Sequence, residues 1–138
     1  MSYKEKSAWV MCLALMLGAL FYGYAVLGMT AQTAHSPLTG IVVIYVLIIV
    51  LISIVGHIIA ALVSVDEAEA VADERDKLIS VRANSASSHI LGLGVITGVL
   101  MYLLGGDGDL LFHFALVSLT LSSIAEYALK IYFYRSGV

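Results

Sequence analysis

From Ser7 to Val65 the chain runs for 59 residues without one Asp, Glu, Lys or Arg. A water-soluble domain interrupts its apolar sequence with charge, whereas a helix crossing a bilayer needs about 20 predominantly apolar residues in succession. The run therefore has room for two membrane spans and a turn between them. Composition extends the argument to all 138 residues: 61% are hydrophobic, 12% are charged, and the mean hydropathy is +1.00. These figures exclude a soluble enzyme, and they exclude disorder, which requires low hydrophobicity and high net charge. The expected fold is all-α, an integral membrane four-helix bundle made of two helical hairpins, with residues 1–138 forming a single transmembrane domain.

The first span reads from Trp9 to about Met29, with Trp9 at one end and Tyr22 and Tyr24 toward the other, where amphipathic rings favour the interface. Residues 31–37, polar and ending on the only proline, turn the chain. The second span covers residues 38–65. At ~1.5 Å per residue it reaches ~42 Å, so it must tilt or protrude from a ~30 Å core. A charged loop follows over residues 66–83. The third span covers residues 86–104, with Asn84, Ser85 and Ser87 read as N-caps. Neither Gly nor Pro occurs between His57 and Leu91, so the second helix is expected to continue into the charged segment before the chain reverses near residues 84–88. Gly105-Gly106-Asp107-Gly108-Asp109 makes a tight turn, and the fourth span covers residues 110–134.

Charge placement predicts orientation. Lys4 and Lys6 precede the first span, Arg75, Lys77 and Arg82 lie between the second and third, and Lys130 and Arg135 lie at the end. With an even number of spans all seven basic residues share one side, which the positive-inside rule makes cytoplasmic, with both termini inside. The first apolar run is longer than the 7–15 residues of a signal-peptide core, so it is expected to be retained as a span. Cys12, the lone cysteine, lies within that span and reads as a small apolar residue.

Helices in lipid meet through small residues that permit close approach. Gly94 and Gly98 form a G-x-x-x-G pair in the third span. Gly105 follows seven residues on. Ala14 with Gly18 and Ala19 with Gly23 in the first, and Ser53, Gly56, Ala60 and Ser64 in the second, lie on comparable seams, and the fourth carries Ala115, Ser118, Ser122 and Ala125. Such seams fit a compact bundle and also suit self-association. They place His57 and Glu126 toward the interior, each about 12 Å inside the cytoplasmic boundary, with His89 near the same level. A carboxylate there must be paired or protonated. His57, Glu126 and His89 are thus the candidate intramembrane polar site, read either as a proton- or cation-responsive centre or as internal pairing of Glu126 with His57 or with Lys130. In the charged loop Asp66, Glu69, Asp73 and Asp76 recur at helical spacing, a face suited to a cytoplasmic partner or to weak cation binding, or to solvation alone.

His35 and His113 near the outer face, with His57 and His89 near the inner one, raise a b-type haem reading. Against it, His35 falls in a loop and His113 points about 140° from Glu126 around its helix. No cofactor and no metal site are expected.

Asp73-Glu74-Arg75-Asp76-Lys77-Leu78-Ile79-Ser80-Val81-Arg82-Ala83 resembles a D-E-R-x-x-x-I-x-x-K/R-A signature found in small bacterial and archaeal predicted membrane proteins of unknown function. The resemblance implies a four-span protein of the bacterial or archaeal cytoplasmic membrane, with Arg75 and Arg82 flanking the start of a span, and it supplies no activity.

Catalytic motifs are missing: there is no H-E-x-x-H, C-x-x-C, phosphate-binding glycine loop or G-x-S-x-G. A basic patch for nucleic acid is missing too. The expectation is a non-enzymatic interaction or regulatory subunit whose partners are the lipid bilayer and either itself or another membrane protein. The rival is an oligomeric carrier or channel for protons, cations or a small solute using Glu126 and His57.

Overall fold

The computed structural model describes residues 3–29, 38–63 and 74–136. These form four helices: α1 (Tyr3–Met29), α2 (Leu38–Val63), α3 (Glu74–Gly105) and α4 (Gly108–Ser136). The fold is all-α, and each helix is long and apolar enough to cross a membrane. Helix α2 is dense in Ile and Val, residues that prefer strands in water. In lipid every backbone amide must be satisfied within its own segment, so the environment overrides that preference.

The helices contact one another as α1 with α2 and α3 with α4, in two separate units. In the first hairpin, Ser7 meets His57, Met11 meets Ser53 and Tyr22 meets Tyr45, a falling register that makes the pair antiparallel. Its core comprises Ala8, Cys12, Ala14, Leu15, Tyr22, Ile41, Tyr45 and Ala60. Tyr22 is buried and packs its ring 5.7 Å from that of Tyr45, while Tyr24 is exposed.

In the second hairpin Ile79, Ala83, Ser87 and Gly98 form the buried face of α3, with Ser118, Ser122 and Ile131 buried on α4. The turn between them is two residues long. Gly106 takes φ +69°, a left-handed conformation that glycine adopts without penalty, and its amide donates to the Tyr102 carbonyl at 2.7 Å to close α3. Asp107 then caps α4, its carboxylate accepting from the amides of Asp109 and Leu110 at 3.0 and 3.2 Å.

Two sequence expectations are overturned. The chain does not reverse near residues 84–88, and Asn84, Ser85 and Ser87 are not N-caps, because α3 passes through them unbroken. Their polarity is absorbed inside the helix. Ser87 Oγ donates to the Asn84 carbonyl at 3.1 Å, and Ser88 Oγ to the Ser85 carbonyl at 2.8 Å. The helical stretch expected to prolong α2 therefore belongs in part to α3. The third span of residues 86–104 lies inside a 32-residue helix of about 48 Å, well beyond a ~30 Å core. The turn assigned to residues 31–37, with His35, lies outside the described residues.

Outside the buried stripes the surface is apolar. Leu47, Leu51, Ile54, Ile58 and Leu62 of α2, and Leu93, Ile96, Leu100 and Leu103 of α3, are more than half exposed. So large an uncovered apolar area fits acyl chains as solvent. The chain is a multi-pass membrane protein.

Candidate functional site

Of the glycines expected at helix seams, Gly18, Gly56, Gly94 and Gly98 sit at helix contacts, whereas Gly23 and Gly105 do not. A Cβ on Gly18 would lie 2.9 Å from Ile49 Cγ1, and one on Gly98 2.9 Å from Phe114 Cβ. A Cβ on Gly56 would overlap the Val10 side chain, and one on Gly94 would overlap the Ser118 hydroxyl. The glycines thus let the backbones approach within each hairpin. Gly23, Gly28 and Gly92 face open space, so small size alone does not mark a contact.

His57 belongs to the first hairpin. Its Nδ1 lies 2.7 Å from the Ser53 carbonyl oxygen, which can only accept, so Nδ1 carries the proton. In the neutral ring Nε2 then accepts from the Ser7 hydroxyl at 2.7 Å, across to α1. Ser53 adds a second link, its hydroxyl donating to Met11 Sδ at 3.1 Å. The partner of His57 is therefore a serine on the neighbouring helix, a residue that sequence reasoning did not single out. The contact also revises its depth, since His57 is level with Ser7, one residue from Lys6, at the margin of the apolar run.

Glu126 belongs to the second hairpin and pairs with Lys130 Nζ at 2.6 Å, one turn on. The same ammonium lies 4.8 Å from the centroid of the Tyr127 ring. The pairing with Lys130, one of those open from sequence, is formed. The depth of Glu126 also changes. It stands about 28 Å along α4 from Asp107, close to a full core thickness. The contacts of Ser122 with Ser87 and of Tyr134 with Asp76 set Glu126 opposite the stretch near Ala83 and Asn84. Counted back from Tyr134 it lies about 12 Å inside; counted from Asp107, or against its partner helix, it lies at the rim.

His89 is exposed on α3, its Nδ1 2.8 Å from the Ser85 carbonyl of its own helix. The three expected site residues therefore each find a polar partner within their own hairpin. Of the acidic face, Asp66, Glu69 and Asp73 lie outside the described residues. Asp76 accepts a hydrogen bond from the Tyr134 hydroxyl at 3.1 Å. Among the described residues no group of three or more His, Cys, Asp or Glu could hold a metal ion. For haem, the Nε2 of His57 that would face an iron is already held by Ser7.

A buried polar link in the second hairpin was missed from sequence. Ser122 Oγ donates to the Ser87 carbonyl oxygen at 2.8 Å between α3 and α4. Its signal was the four-residue spacing of Ile79, Ala83 and Ser87, which marks the contact face of α3.

In comparisons with known protein families, curated proteins and solved structures, nothing matches this chain.

Proposed function

We propose that the chain is a non-catalytic membrane subunit that acts by binding another membrane protein, seated in a bacterial or archaeal cytoplasmic membrane with both termini inside. The observation that carries this reading is the internal pairing of the polar side chains on its spanning helices. His57 is held by Ser7 and Ser53, Ser122 by the Ser87 carbonyl, and Glu126 by Lys130. A carrier or channel needs ionisable groups that exchange partners with a passing ion, and each of these is committed to its own hairpin. What remains for recognition is the charged end of α3, where Arg75, Lys77 and Arg82 are exposed.

The test is site-specific photocrosslinking in cells from Lys77, followed by purification in mild detergent. A discrete adduct with one membrane protein is expected, or with a second copy of the chain if the subunit self-associates. Reconstitution into liposomes carrying a pH gradient is the counter-test. Dissipation of the gradient that disappears in Glu126→Gln or His57→Ala would replace this reading with the carrier.

A further inference from the structure

Lipid does not account for the side of α3 turned away from α4. Ile79, Ala83, Ser87 and Gly98 mark the face that meets α4. At about 100° per residue, Leu78, Val81, Ser85, His89, Gly92 and Leu103 all project within about 45° of the opposite direction. All six are exposed, with Leu78, Val81 and Leu103 more than half so. A ~30 Å hydrocarbon core measured from Gly105 ends near Ser85, which leaves Val81 and Leu78 about 6 and 10 Å beyond the acyl chains. Apolar side chains left bare at that height, in line with a stripe inside the membrane, need cover from protein.

The polar residues of the same face indicate which protein. His89 Nδ1 lies 2.8 Å from the Ser85 carbonyl oxygen, so Nδ1 carries the proton and, in the neutral ring, Nε2 is an acceptor. Among the described residues that Nε2 has no partner, and neither does the Ser85 hydroxyl. The same contact draws the ring back from its own Cα toward the level of Ser85. In a second copy of α3 lying parallel, a Ser85 hydroxyl stands close to that height, a donor for the waiting acceptor. One turn on, a Cβ at Gly92 would meet nothing within 4 Å, so the backbone is bare where two helices would cross. The first hairpin offers no such match. Among its described residues the exposed side chains are apolar apart from Tyr24, at the end of α1 far from Ser7.

We propose that two copies of the chain pair in parallel through this face of α3, related by a two-fold axis along the membrane normal. Each Ser85 hydroxyl donates to Nε2 of His89 in the other copy, the Gly92 backbones approach, and Leu78 and Val81 continue the contact beyond the lipid. This pairing goes beyond the contact with another membrane protein proposed above, and it stands or falls separately from it.

The test uses the full-length chain carrying Cys12→Ala and one added cysteine, oxidised in native membranes. Leu78→Cys and Leu103→Cys should each give a disulfide-linked species of twice the chain mass. Leu93→Cys and Asn84→Cys, also exposed but about a quarter turn to either side, should not. Energy transfer between labelled copies diluted into liposomes then gives the dissociation constant of the pair. His89→Ala removes two symmetry-related bonds and should raise that constant about sevenfold, and Ser85→Ala should match it. The double variant should be no weaker than either alone, because both changes remove the same bonds. Gly92→Leu meets nothing in its own chain, so it should keep its helix content and weaken pairing more than tenfold. The proposal is overturned by a monomer at every dilution, by unchanged pairing in Gly92→Leu or in His89→Ala, or by equal crosslinking from Leu93 and Asn84, which would mean random collision. A crosslinked species of any other mass from Leu78 would also overturn it, in favour of a different protein on this face.

Discussion

The hydroxyl of Ser122 donates to the backbone carbonyl of Ser87 across 2.8 Å, with both residues buried between α3 and α4. That carbonyl belongs to an unbroken helix, so the bond adds to the ladder and replaces nothing in it. Hydrogen bonds between membrane helices contribute only about 0.6 kcal/mol on average, because the separated helices find other partners. Ser122→Ala should therefore cost about that much in a reversible unfolding titration in mixed micelles. Ser122→Leu, which must push the helices apart, should cost several times more.

Gly94 faces Ser118 so closely that any side chain must overlap its hydroxyl. Gly94→Ala should destabilise the second hairpin by about 1–3 kcal/mol, the range for overfilled contacts. Adding Ser118→Gly should recover most of the loss, since it removes the atoms in conflict. Unfolding midpoints of the two single variants and the double variant check this, and additive losses would show that the glycine acts through something other than this contact.

Ser7 and His57 form one unit in the first hairpin. Ser7→Ala and His57→Phe should each destabilise, and together they should cost less than the sum of the two. A double-mutant cycle is expected to give a coupling of about 0.5–1.5 kcal/mol, the ordinary worth of a hydrogen bond.

Glu126 provides a measure of depth. A carboxylate held at the bilayer centre costs about 2.5–3.5 kcal/mol on insertion scales, so neutralising it there would strongly stabilise the protein. At the rim, paired with Lys130 at 2.6 Å and partly exposed, it should behave as a helix-surface ion pair. Glu126→Gln is accordingly expected to change stability by no more than about 0.5 kcal/mol. A gain of several kcal/mol would return the residue to the interior.

Much of this architecture was legible in the residues. The charge-free run located α1 and α2, and Gly106 and Asp107 announced the turn because each supplies chemistry that a helix end requires. Gly18, Gly56, Gly94 and Gly98 were legible because only the smallest side chain allows such approach, but the same spacing also pointed to Gly23, which faces open space. The segment around Asn84 misled because Ser and Asn signal a cap only when their oxygens reach free amides. Inside α3 the serine hydroxyls turn back on carbonyls three residues earlier, a choice that sequence does not reveal. The polar site misled for a different reason. Depth was counted along each helix alone, whereas the register of the partner helix sets the true level, and register depends on side-chain fit at Ser7, Ser53, Ser87 and Ser122.

The two-residue connection at Gly106 and Asp107 has a consequence for how the protein enters lipid. So short a link cannot let α3 settle in the bilayer while α4 waits in water. Its exposed amides and carbonyls are already matched to a glycine and an aspartate, so the corner needs no help from the rest of the chain. Biogenesis should therefore treat residues 74–136 as one inserting piece, admitted or refused together, with a single decision fixing the direction of both helices.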